Sequence, residues 1–152
     1  MPAMKPAFLY AAFSALGLLA IPPAAHASEG KTASAQILVK SSASWNGKPY
    51  TAYASGTPEM TVLKLTIEPW AALPWHTHPF PNAGYVLEGA LTIVDKASGE
   101  KKTFHAGEAF TESVDDAHHG IAGNEKTVLL LVYAGIKGKP TSVPLPGQVK
   151  EY

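Results

Sequence analysis

From residue 60 to residue 67 the chain alternates, with Leu63, Leu65 and Ile67 on one side and Lys64 and Thr66 on the other. That period of two is the mark of a half-buried β-strand. Short strand-like runs recur at residues 36–40, 84–87, 90–94, 101–104, 108–111 and 127–133. Glycine and proline punctuate them: Asn46-Gly47 signals a turn in the polar loop 41–49, and Glu88-Gly89 parts two strands. Ser98-Gly99 predicts a hairpin turn within residues 95–100. After residue 27 no segment of ten residues has the 3.6-residue period of an amphipathic helix. Evenly spaced short strands with no helices between them lead to an all-β sandwich or barrel. The tail from Gly135 carries Pro140, Pro144 and Pro146, so it is expected to wrap the surface in extended form, away from the centre of any sheet.

The first residues have a different design. Lys5 precedes an apolar run over residues 7–21, and Ala25-His26-Ala27 offers a small-residue cleavage site. This is the layout of a secretory signal peptide, and the run falls short of the ~20 residues a spanning helix needs. The expected product is cut after Ala27 and is periplasmic or secreted, with no stable membrane anchor. The expected divisions are a signal peptide at 1–27, a loose tether at 28–35, a β-barrel at 36–136 and a proline-rich extended tail at 137–152.

Cleavage would leave 11 lysines against 12 acidic groups, a balance that gives no reason to expect nucleic-acid or anionic-membrane binding. There is no arginine, so the planar fork that clamps phosphates and carboxylates is missing. There is no cysteine either, which excludes disulfides, thiolate ligands and cysteine nucleophiles. Stability must come from packing.

Two of the six histidines, His76 and His78, stand two residues apart. On a strand they share one face, about 6–7 Å apart along the backbone. Imidazoles so placed can lean onto one ion, and their chemistry suits Zn, Cu, Fe or Ni. His118 and His119 are adjacent, so only one of them can face the same cavity as the pair. His105, beside Ala106-Gly107, reads as a surface residue. Trp75, Phe80, Tyr85 and Phe110 either line an aromatic mouth to the cavity, Tyr85 as a pocket residue, or fill the core. Glu112, six residues before His118, either faces inward as a partner or general base, or is a surface acid at a strand end. Glu88, Asp115 and Asp116 read as solvent-facing or loop residues. Ser113 lacks the Gly-x-Ser-x-Gly context of a hydrolase nucleophile.

Two blocks resemble the paired motifs of the cupin superfamily, small jelly-roll β-barrels. In the first, His76 and His78 fall on the motif's histidines and Gly89 on its last glycine, while Trp70 replaces its first glycine and Asn82 its glutamate. In the second, Gly107 and His118 are in place, while Ser113, Asp115 and Ala122 stand for proline, glycine and asparagine. The resemblance covers roughly residues 61–133. It implies an all-β cupin double-stranded β-helix with a divalent transition metal (Fe, Zn, Cu, Ni or Mn) on His76, His78 and His118, and it selects His118 over His119. The missing glutamate should weaken the site for hard ions such as Mn. Asn82 either hydrogen-bonds a water on the ion or a ligand, or caps a loop between Pro81 and Ala83.

Cupins include dioxygenases, isomerases, lyases and non-enzymatic binders, so the fold names no reaction. The resemblance allows dioxygenase-like or Lewis-acid chemistry on a small molecule, with Glu112 as the proton-transfer group. The alternatives are a non-catalytic periplasmic module that binds a small molecule or metal, and a barrel whose histidines stay metal-free. It also allows a homodimer.

Overall fold

The computed structural model describes residues 32–150; the expected signal peptide and the start of the tether lie outside them. Thr32 to Ser34 are exposed and irregular, and a separate compact unit begins at Ala35. Among its described residues nine strands follow in order: β1 (Pro58–Ile67), β2 (His76–Thr77), β3 (Asn82–Glu88), β4 (Ala90–Asp95), β5 (Lys101–His105), β6 (Ala109–Thr111), β7 (His118–Ala122), β8 (Thr127–Ile136) and β9 (Val143–Pro144). No helix of the described residues is long and apolar enough to cross a membrane. The architecture is all-β, as the short alternating runs require.

Two antiparallel sheets face each other, one ordered β1-β8-β3-β6 and the other β5-β4-β7-β2-β9. The longest pairing joins β1 to β8, from Pro58 opposite Ile136 to Ile67 opposite Thr127. Leu63, Leu65 and Ile67 of β1 point inward with Leu129, Leu131 and Tyr133 of β8. The opposite sheet supplies Leu91, Ile93, Phe104 and Ala122 to the same core. Phe80 and Phe110 are buried there too, so both belong to the core. Gly84 is required by packing: a Cβ at that position would come within 2.2 Å of the Phe110 ring.

Residues 36–40, expected as a strand, join no sheet. Ile37 is 74% exposed, because β-propensity acts only where a ladder and a packed face receive it. Residues 36–39 instead share a cavity with the outer side of the sheet at Ala83, Tyr85, Leu130 and Val132. The tail turns at residues 137–138 and again at 146–147, and between those turns part of it joins the barrel. Thr77 pairs with Val143 and His76 with Pro144, so β9 forms a sheet edge, where a proline costs no central ladder bond.

Four turns share one backbone property. Gly89 (φ 73°) and Gly107 (φ 94°) are left-handed, and so are Trp70 (φ 64°) and Asp115 (φ 52°). The last two occupy the positions where the resembled motifs carry glycine. The left-handed turn geometry is therefore present at both positions without glycine, the residue that adopts it freely. Aspartate tolerates this region, whereas a tryptophan there is strained. Trp70 is 72% exposed, so little burial offsets the strain; its backbone N–H donates to the carbonyl of Gly123.

Candidate metal centre

His76 opens β2 and lies opposite His118, the first residue of β7, which in turn lies opposite Asp95 at the end of β4. His78 follows at the bridge to Val114. All three histidines are buried, and their rings pack with centroids 4.8, 4.8 and 5.1 Å apart. Their ligand atoms lie within 4.8 Å of one another, as a group that could hold a metal ion.

The ring orientations are set by the backbone. The Nδ1–H of His76 donates to the carbonyl of Pro74 (2.8 Å), that of His78 to Thr141 (2.7 Å) and that of His118 to Asp116 (2.8 Å). A ring that donates through Nδ1 presents Nε2 as a lone pair when neutral, which is how proteins fix a ligating tautomer. The Thr141 carbonyl comes from the tail, so the segment after β8 helps to aim a histidine 63 residues earlier.

His119 does not join the group. As alternation along β7 demands, it turns to the other face, stacks on Trp75 at 3.8 Å and donates to Leu73. Lys96 Nζ lies over the Trp75 ring, 4.7 Å from its centroid. Trp75 therefore does not line the cavity. Tyr85 does not line it either: it lies on the opposite face of β3 from Asn82, by the same alternation, against residues 36–39. His105 is exposed and Glu88 pairs with Lys126 at the surface, as expected.

Two expectations need correction. Asn82 is not a loop cap. It is the first residue of β3, paired with Tyr133, buried, and both its Oδ1 and Nδ2 lack a hydrogen bond. Glu112 is not a surface acid: it is 7% exposed, with Oε2 at 3.0 Å from His78 Nε2 and Oε1 at 3.6 Å from His118 Nε2. These are contacts of ion-pair length, and neither ring nitrogen has a hydrogen-bond partner. Burial opposes ionisation of Glu112, but the flanking His78 and His118 outweigh it and hold the carboxyl well below its ordinary range. For His118 burial is likewise outweighed, by Glu112, and its pKa is raised. His76 is pushed the other way, to about 4, by burial and then by the other two imidazoles. It is neutral at physiological pH.

The donor set fits a divalent transition metal. The Nε2 atoms of His78 and His118 and the Glu112 carboxylate are buried and turned toward one another, an arrangement that a cation, a metal or a proton, lying among them stabilises.

Sequence reasoning missed the support around the group. Lys48 bridges Asp95 (3.2 Å) and Asp116 (2.5 Å), while Asn46 donates to both. Ser113, fully buried, donates to Asn46, a structural role. Asn46-Gly47 does turn the chain, with Gly47 at φ 79°. That the turn would be tied to the His118 loop had no local signal. Tyr133, whose ring lies 5.5 Å from His78, was legible only as part of an apolar run. A groove of about 490 Å³ lined by Tyr50, Met60, Asn82, Ala83 and Val132 runs between the 41–53 segment and the sheet. No imidazole lines it.

Residues 63–133 match the family model described as "Cupin domain", and the chain carries a cupin-superfamily domain. No curated protein sequence matches it. Among solved structures, a DMSP lyase from Ruegeria pomeroyi is 14% identical with a TM-score of 0.52, covering 68% of this chain and 49% of its own. An oxalate oxidase in complex with glycolate is 19% identical with a TM-score of 0.49, covering 57% of this chain and 46% of its own. A polyketide cyclase from Streptomyces resistomycificus is 23% identical with a TM-score of 0.48, covering 59% and 62%. The chain thus spans about half the length of the oxalate oxidase. At these identities the likeness is one of fold.

Proposed function

We propose that this protein is an exported cupin that holds one divalent transition metal on His76, His78 and His118 and acts on a small oxygen-bearing molecule. The observation that carries it is a buried group of three imidazoles, each held by an Nδ1–carbonyl hydrogen bond, whose ligand atoms lie within 4.8 Å of one another. Bound there, a divalent ion would supply Lewis acidity toward carbonyl, enol or carboxylate oxygens, or a site for dioxygenase-like chemistry. The chain's own contribution is positioning. Asn82 offers a buried amide with an acceptor and donors unspent, suited to orienting a polar ligand. Phe80, Phe110 and Leu131 wall the interior with apolar surface and limit water.

The test is the metal content of protein purified without chelators, with His76→Ala beside it. About one ion per chain is expected, lost in the variant; a content far below one, or no response to the substitution, would sink the proposal. Export is checked by N-terminal sequencing of the secreted form, which should begin at Ser28.

One observation favours a second reading, a non-catalytic periplasmic binding or sensory module. Both Glu112 oxygens are turned to His78 and His118, which occupies the acid otherwise suited to proton transfer. Oxygen uptake with enolic, catecholic or thiol compounds supports the enzyme; saturable binding without turnover supports the module.

A further inference from the structure

Ala83 pairs with Thr111 and Gly84 with Phe110 across β3 and β6. The next step in that ladder sets Asn82 opposite Glu112, and the Glu112 N–H reaches the Asn82 carbonyl at 3.4 Å. Residues opposite each other in an antiparallel pair point to the same side. Both side chains here are buried. The acid that the resembled motif places at position 82 is therefore not simply lost; a carboxylate stands one strand over, on the direct cross-strand neighbour.

We infer that Glu112, the residue that follows β6, is the fourth protein ligand of the metal, in place of a ligand from the strand that holds Asn82. The inference rests on the three-histidine site proposed above. Two observations carry it beyond that site. First, with metal–ligand bonds of about 2.1 Å, adjacent ligand atoms lie about 3.0 Å apart at right angles and about 3.4 Å apart at a tetrahedral angle. Glu112 Oε2 and Oε1 lie 3.0 and 3.6 Å from the Nε2 atoms of His78 and His118. Second, Oε2 is buried without an aligned hydrogen-bond donor, its near neighbour being His78 Nε2, an arrangement too costly to keep unless a cation compensates it. A ligating carboxylate also changes which ions the site prefers. Three neutral imidazoles favour borderline ions such as Zn(II), whereas an added anionic oxygen raises the affinity for harder Mn(II).

The competing role for Glu112 is counter-ion to protonated His78 and His118 in a metal-free barrel. Titration of the purified protein with Zn(II) and with Mn(II) separates the two. As a ligand, Glu112→Gln should weaken Mn(II) binding by roughly 100-fold and Zn(II) by roughly 10-fold. Glu112→Asp should fall between wild type and Glu112→Gln, and it keeps the question answerable if the glutamine variant does not fold. Glu88→Gln, which removes an exposed carboxylate, should leave both affinities unchanged. If wild type binds one ion, lost in His76→Ala, while both Glu112 variants bind Mn(II) and Zn(II) as tightly as wild type, the fourth-ligand assignment is overturned and the three-histidine site stands. If wild type binds neither ion, both fall together.

Discussion

Asp95 and Glu112 are both buried acids beside His118, yet the protein surrounds them differently. Asp95 accepts from the Ser98 N–H (2.7 Å) and hydroxyl (2.8 Å), from Asn46 (3.1 Å) and from Lys48 (3.2 Å). Those bonds, the Ser98 N–H foremost, hold its carboxyl far below the ordinary range. Glu112 faces two imidazole nitrogens and has no aligned donor on Oε2. Asp95 has its partners supplied by the protein, whereas one oxygen of Glu112 is buried against imidazoles without an aligned donor. The two clusters meet at His118, which lies opposite Asp95 in the sheet and donates to the Asp116 carbonyl.

The contrast can be broken most directly with metal. Zn(II) a thousandfold above its dissociation constant should raise the unfolding free energy by about 4 kcal/mol in wild type and by almost nothing in His76→Ala. Urea denaturation with and without the ion measures it. An equal gain in both proteins would place the ion elsewhere.

Next in size is the pH response of the metal-free protein. The unfolded chain protonates His76 near 6.5, while the folded protein resists until about 4. The unfolded state therefore binds more protons between those values, and stability falls as pH drops through that window, by about 3 kcal/mol from this residue. Glu112 adds stability present above about 4.5 and lost only as pH falls through its depressed value. His118 has the opposite sign: its raised pKa stabilises fully below 6.5 and fades as pH rises through the folded value. Denaturation curves at pH 4.5 and 6.5 should show a smaller slope in His76→Gln. Equal slopes would remove His76 as the cause.

Asp95→Asn should cost about 2 kcal/mol, with or without metal, by leaving Lys48 and Asn46 short of a partner. The figure is moderated because Lys48 is half exposed. A cost that appeared only in the loaded protein would merge the two clusters into one functional unit. The smallest effect tests the left-handed turn at Trp70: Trp70→Gly should stabilise by about 0.5 kcal/mol, the relief of left-handed strain less the entropy glycine loses on folding. A lower urea midpoint would mean that the tryptophan contributes contacts worth more than its strain.

Much of this was legible in order along the chain. The alternation at 60–67 placed Leu63, Leu65 and Ile67 inward, and the spacing of His76 and His78 put them on one face. Adjacency of His118 and His119 allowed one of them at most into the cavity. The same local logic failed at residues 36–40, whose apolar run found no ladder, and at Glu112, where the rarity of buried glutamate pointed outward.

What the sequence by itself determined is the set of elements: where strands begin and turn, which side chains alternate, and the absence of thiolates and guanidinium groups from any site. Only the tertiary structure decided which acid meets the histidines. That depends on Asn82 lying opposite Glu112 across β3 and β6, and on the Thr141 carbonyl returning to aim His78. Alternation along a strand is a property of neighbouring residues. Pairing between strands is a property of the whole barrel, and its register brings together groups that no local pattern relates.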